Sequence, residues 1–187
     1  MSDTALLVID VQNDYFPGGR MELEGAEAAG AKAAAAPAAF RARGLPVFHV
    51  RHLSVRPGAT FFIPGTRGAE IHACAAPAAG EAVVEKNFPN SFRGTDLHER
   101  LGKAGIKHLV VAGMMTHMCV DSSVREAFDL GYRVSLLSDA CATRSQSFGG
   151  HAVPAPQVHA AFLASLNGLF ASVAPTDEIL KTLREGP

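Results

Sequence analysis

The chain has 187 residues, 48% hydrophobic and 19% charged, a length and balance that suit one folded domain (residues 1–187) and exclude a disordered chain. Lys and Arg number 17 against 18 Asp and Glu, a net charge of −1, which provides no electrostatic case for nucleic acid or a membrane surface as partner. Three cysteines and no secretory leader at MSDTALLVIDVQND argue against a disulfide framework and for a reducing, cytoplasmic compartment.

Ala5 to Ile9 is an apolar, β-rich run ending at Asp10, a first strand, followed by a loop, VQNDYFPGGR, punctuated by Pro17, Gly18 and Gly19. Gly25 to Arg43 is Ala-rich and helical, with Pro37 predicting a kink or two short helices. Pro46 to Arg51 is a second strand. His52 to Ala79 is a long irregular segment, which in a compact domain serves function or covers a site. Glu81 to Glu85 is a third strand, followed by Lys86. Thr95 can cap a helix carrying Leu97 and Leu101. After a fourth strand and its helix, Tyr132 to Leu137 is a fifth strand and Ser145 to Ala155 a loop. A helix from Pro156, a short sixth strand at Ala171 to Val173 and a polar helix, Thr176 to Leu183, finish the chain. Strands alternating with helices imply a three-layer αβα fold, a parallel sheet with helices on both faces.

The fourth strand, Leu109 to Ala112 closed by Gly113, is the pivotal one. Beyond it, Val120, Val124, Ala127 and Phe128 mark one face of a helix stopped by Gly131. Cys119 falls in or just before that helix's first turn, where free N–H groups and the dipole would favour thiolate. In parallel sheets ligand chemistry gathers beyond the carboxyl ends of the strands. Asp10, Lys86 and Cys119 all take that position. Together a carboxylate, an ammonium and a thiol can run nucleophilic catalysis; each alone reads as a turn former, a solvated head or a small buried residue.

Three separated stretches carry a resemblance. Asp10 to Phe16 (DVQNDYF), Glu85-Lys86 with Ser91 to Leu97 (SFRGTDL), and Gly113 to Val120 (GMMTHMCV) are similar to the signatures of the isochorismatase-like cysteine hydrolase superfamily, in order along essentially the whole chain. The resemblance implies a six-stranded parallel sheet of order 3-2-1-4-5-6 and a catalytic triad of Asp10, Lys86 and Cys119. It also implies a non-proline cis peptide at Met114–Met115 that aims the N–H groups of Met115 and Cys119 into an oxyanion hole. A homo-oligomer, dimer or tetramer, is implied too, whose subunits can close each other's pockets.

Family members that split an enol ether do not depend on this cysteine, whereas those that hydrolyse amide, carbamoyl or ureido C–N bonds do. Cys119 therefore favours a small-molecule amidohydrolase working through a thioester-type intermediate. An isochorismatase-type enol-ether hydrolase and a redox-sensing thiol protein without turnover are the alternatives. Gln12, Phe16, His52, Phe62, Phe92, Met114 and Met118 are expected to line the substrate pocket, although the aromatic residues can equally pin the long loop or fill an interface. Nicotinamidases in the family have an Asp-x-His metal site. Here His49 and His52 lack that Asp, and their spacing on a strand directs them to opposite faces, so no metal and no cofactor are expected. Thr116 is expected to steady the turn, Cys141 to be structural, and Asp139 to anchor the loop after strand five. Arg93 and Arg144 either bind a substrate carboxylate or are solvated.

Overall fold

The computed structural model of the protein describes residues 3–185. Its main sheet holds six strands: β1 (Thr4–Ile9), β2 (Val47–His52), β3 (Ala82–Lys86), β4 (His108–Met114), β5 (Arg133–Ala142) and, after a small hairpin of β6 (Gln146–Phe148) and β7 (His151–Val153), β8 (Ser172–Ala174). Their order is β3-β2-β1-β4-β5-β8, with every neighbour parallel. β8 is the sixth strand of this sheet, so the order is the one the resemblance implied.

The helices are α1 (Ala26–Arg41), α2 (Leu97–Lys103), α3 (Asp121–Asp129), α4 (Ala155–Leu166) and α5 (Thr176–Glu185). Alternation along the central strands divides the core in two. Leu6 and Val8 of β1, with Val110 and Ala112 of β4, face α1 and α5. Ala5, Leu7 and Ile9, with Leu109 and Val111, face α2, α3 and α4. Leu97 and Leu101 of α2 are completely buried, which stabilises the fold by on the order of 2 kcal/mol apiece relative to exposure. They keep α2 seated although it is only seven residues long.

Three elements depart from expectation. α1 is not split into two helices: Pro37 sits inside it, on a buried face with Ala29, Ala33, Ala36 and Phe40. Packing of that face offsets the about 3 kcal/mol that proline costs a helix interior. The segment expected as a loop at Ser145 to Ala155 contains the β6–β7 hairpin, turned by Gly149 and Gly150, both at positive φ, as a tight two-residue hairpin turn requires. β5 runs on to Ala142, five residues past Leu137.

The long segment after β2 is tied down rather than loose. The Asn13 N–H donates to Glu70 O and the His72 N–H to Val11 O. Asp14, buried, accepts from the Phe62 N–H at 2.6 Å and from the Arg20 N–H at 3.2 Å. A side chain at position 68 would begin 2.1 Å from Asp14 Oδ1, so Gly68 is the residue that lets this loop close onto the one after β1. Asp139, expected to anchor the loop after β5, instead holds the start of α5, accepting from the Thr176 N–H at 2.7 Å and the Thr176 hydroxyl at 2.6 Å.

Candidate active site

Four adjacent strand ends supply the site, in the order β3, β2, β1, β4. Lys86 is the last residue of β3 and is paired in register with His52, the last of β2. Asp10 follows β1 at once, and the turn after β4 carries Cys119. The backbone makes sharp changes there. Asp10 has φ 52, the left-handed region that costs a residue with a side chain free energy but is tolerated best by Asp and Asn. Its N–H donates to Val50 O at 2.9 Å and its carbonyl accepts from the Gln12 N–H at 2.9 Å. Gly113 has φ 144, and a Cβ there would lie 2.0 Å from Ile9 O. Only glycine lets β4 approach β1 this closely, directly beside Asp10. The Met114–Met115 peptide that follows is cis.

Cys119 was expected in or near an α-helical first turn. It lies instead in a π-helical turn, Thr116–Val120, that leads into α3. The wider winding is seen in the Val120 N–H, which donates to Met115 O at 3.2 Å. Such turns concentrate at functional sites. The Thr116 hydroxyl donates to Ala142 O at 3.2 Å and meets His159 Nδ1 at 2.9 Å, tying the turn to β5 and α4.

The side chains converge. Lys86 Nζ lies 2.6 Å from Asp10 Oδ2, with both side chains wholly buried. The same ammonium donates to His52 Nδ1 at 3.2 Å and to Phe88 O at 3.1 Å. Cys119 Sγ, an Asp10 oxygen and a His52 ring nitrogen lie within 4.8 Å of one another, and the charges of Asp10 and Lys86 both act on the thiol. Those three donor types form a set that a metal can use. Lys86 is bonded to two of them, however, Asp10 and His52, so a cation already stands beside them. His49 and His52 do not converge: His49 is buried with Nε2 2.9 Å from Glu81 Oε2.

The charges differ from the expected preformed thiolate. Burial first, and the Asp10 charge second, push the Cys119 thiol well above its ordinary value, and Lys86 offsets them only in part. Burial lowers the Lys86 ammonium, but Asp10 and Cys119 outweigh it and hold the group above its usual value. The resting centre is therefore an ammonium–carboxylate pair with a protonated thiol. Burial and then Lys86 lower His52 to about 4. It is neutral near pH 7, and since Nδ1 accepts from Lys86, Nε2 carries its proton.

Not every residue expected to line the pocket does so. Gln12 is fully buried and committed to the backbone: Nε2 donates to His52 O and Ala69 O, both at 2.9 Å, and Oε1 accepts from the His52 N–H at 2.7 Å. It positions His52. Met114 is fully buried in the α1 face of the core, whereas Met118 is 40% exposed. Phe62 reaches the cluster through His52, ring centres 6.0 Å apart. Phe16 stacks on His72 at 3.7 Å, and Phe92 packs with Tyr132 at 6.2 Å, so the closest ring contacts of both are made elsewhere.

One neighbour has no counterpart in the sequence reading. Tyr15 is buried, and its hydroxyl is held above its ordinary value chiefly by burial, with the Asp10 charge adding to it. In the sequence it is a hydroxyl-bearing aromatic within DVQNDYF, a stretch that carries the resemblance without assigning this residue a role.

Residues 4–178 match the family model described as the isochorismatase domain. The isochorismatase family protein YddQ of Bacillus subtilis is 49% identical over 95% of this chain and 99% of its own length. Nicotinamidase 3 of Arabidopsis thaliana is 30% identical over 96% of this chain and 88% of its own. The crystal structure of an isochorismatase-type hydrolase from Oleispira antarctica superposes with a TM-score of 0.92 at 51% identity, covering 95% of this chain and 96% of the other. With sheet order, strand-end placement and sequence in agreement, the chain belongs to the isochorismatase-like superfamily of hydrolases.

Proposed function

We propose that this protein hydrolyses a C–N bond of a small-molecule amide, carbamoyl or ureido compound through a covalent intermediate on Cys119, with Asp10, Lys86 and Cys119 as catalytic residues. The observation that carries this reading is the wholly buried Lys86–Asp10 pair, 2.6 Å apart, with the Cys119 sulfur within 4.8 Å of an Asp10 oxygen. A thiol that only sensed oxidants would need exposure, and Cys119 is 6% exposed. Nicotinamidase 3 is named for an amide substrate, which supports the C–N class.

The substrate carbonyl carbon meets Sγ as the thiol proton passes to Asp10, so the sulfur attacks as thiolate without ever resting as one. Lys86 stays protonated and compensates the negative charge that moves between sulfur and carboxylate. The carbonyl oxygen, now an oxyanion, is received by the N–H groups of Met115 and Cys119. The C–N bond breaks, the leaving nitrogen takes the proton from Asp10, and ammonia or an amine departs. Asp10 then deprotonates a water that attacks the thioester, and the thiol is restored. His52 steadies Lys86 through Nδ1 and presents Nε2–H to the substrate side.

Among the described residues no helix is long and apolar enough to cross a membrane, in keeping with a soluble substrate. A homo-oligomer is part of this reading: Phe148 of the β6–β7 hairpin is 87% exposed, an aromatic side chain that a second copy would cover. The test is ammonia release from a panel of primary amides and ureas. Release by the wild-type protein and none by Cys119→Ala supports the assignment; release that survives Cys119→Ala overturns it.

A further inference from the structure

Five of the described arginines are paired with an acid. Arg41 meets Glu81, Arg51 meets Glu85, Arg100 meets Asp96, Arg125 meets Asp121 and Arg133 meets Asp3. Others have no carboxylate partner among the described residues, and two of these, Arg93 and Arg56, lie around one ring beside the active site. The Arg93 guanidinium lies 3.9 Å from the centre of the Phe88 ring, and that of Arg56 lies 6.0 Å from the same centre. Neither has a carboxylate partner among the described residues. Phe88 itself is fixed to the catalytic centre, because its carbonyl accepts from Lys86 Nζ at 3.1 Å. Arg56 also acts electrostatically on His52, the half-buried member of the cluster and hence its solvent side.

Two like charges thus lie within 6.0 Å of the centre of one ring. Stacking on an aromatic face orients a guanidinium and contributes about 0.5–1 kcal/mol, but it leaves the N–H fork unspent. That fork matches a carboxylate in two parallel hydrogen bonds. Cations drawn together without an anion repel one another, and an anionic ligand between them relieves that repulsion.

We propose that Arg93 and Arg56, arranged about Phe88, bind a carboxylate of the substrate, so that this enzyme acts on amides or ureas that carry an acidic group remote from the scissile C–N bond. The inference rests on the hydrolase reading above and names the substrate class for that site. Phe88 joins the two ends of the substrate: its ring holds the guanidiniums that take the carboxylate, and its carbonyl holds the ammonium beside the sulfur.

The experiment compares matched pairs, succinamate with butanamide and ureidoacetate with ethylurea. The expected result is a kcat/KM at least tenfold higher for the acidic member of each pair, falling to less than twofold preference in Arg56→Gln/Arg93→Gln. Arg43→Gln, at an exposed arginine bonded to Ala39 O on α1, is the control and keeps the full preference. Calorimetric titration of Cys119→Ala with succinamate reads binding apart from turnover, and the double substitution added to it should weaken that binding at least tenfold. Equal hydrolysis of both members, or a preference that survives the double substitution, overturns this inference and leaves the hydrolase standing. Turnover of neither member, with no binding of succinamate to Cys119→Ala, removes both.

Discussion

Cys119 and Cys141 invite comparison because they are so alike. Both are buried, both follow core strand residues of the same sheet, and both have thiols pushed upward chiefly by burial, Cys141 to about 12 and Cys119 further still. Cys141 sits within β5, paired in register with Gly113 of β4. Cys119 sits in a π-helical turn, its sulfur within 4.8 Å of an Asp10 oxygen and a His52 ring nitrogen. A depressed resting pKa is therefore not what separates the candidate nucleophile from the inert thiol. In the proposed mechanism the separating feature is a base that takes the proton during attack and a cation that compensates the charge left behind. Under the proposed mechanism this arrangement also protects the sulfur, since thiolate would form only with a substrate in place.

The largest effect follows directly. Cys119→Ala should lower kcat by about a thousandfold or more, the scale of losing a covalent nucleophile. Cys141→Ala should stay within twofold, and an equal loss in both would dissolve the distinction.

Asp10→Asn sharpens it further. Turnover should fall nearly as far as in Cys119→Ala because the proton acceptor is gone. Yet the thiol should alkylate faster with iodoacetamide at neutral pH, because a negative charge that raises its pKa has been removed. A slower reaction would mean that Asp10 acts on the sulfur in the opposite sense.

Lys86→Met is next. It leaves Asp10 buried without its cation, and the expected cost is about 3 kcal/mol of stability, read by denaturant unfolding. Cys119 alkylation should slow at the same time. The backbone beneath the pair is tested by Gly113→Ala, whose Cβ would lie 2.0 Å from Ile9 O. The expected cost is roughly 2 kcal/mol or more, with activity falling because β1 and Asp10 must shift.

The mildest effect concerns His52, which stands beside Cys119 and has no equivalent at Cys141. Unfolded, a histidine protonates near pH 6.5; folded, His52 stays neutral down to about 4. The unfolded chain thus binds more protons below pH 6.5, and this part of the stability is lost as pH falls from 6.5 towards 4. Melting temperatures measured across that window should decline, and less steeply in His52→Gln. Parallel curves for the two proteins would show that His52 is not held neutral.

Much of this was legible in the residues. Asp10, Lys86 and Cys119 could be read as rim positions because each follows a short apolar strand, and in a parallel sheet all such ends face one way. The hairpin at Gly149-Gly150 was legible too, as a glycine pair between two short runs, yet the loop reading passed over it. The split of α1 at Pro37 was a local inference, overruled by packing along that helix's buried face.

What the sequence alone determined is the order of the strands along the chain, the face each core side chain takes and the residue types that reach the rim, since these depend on local periodicity and on the one-way sense of a parallel sheet. Only the tertiary structure decided that Lys86 bonds both Asp10 and His52, that Gln12 serves the backbone and not a ligand, and that the thiol rests protonated. Those outcomes depend on burial and on distances of a few ångströms between residues tens of positions apart, and electrostatic energy in a dry interior changes steeply over that range.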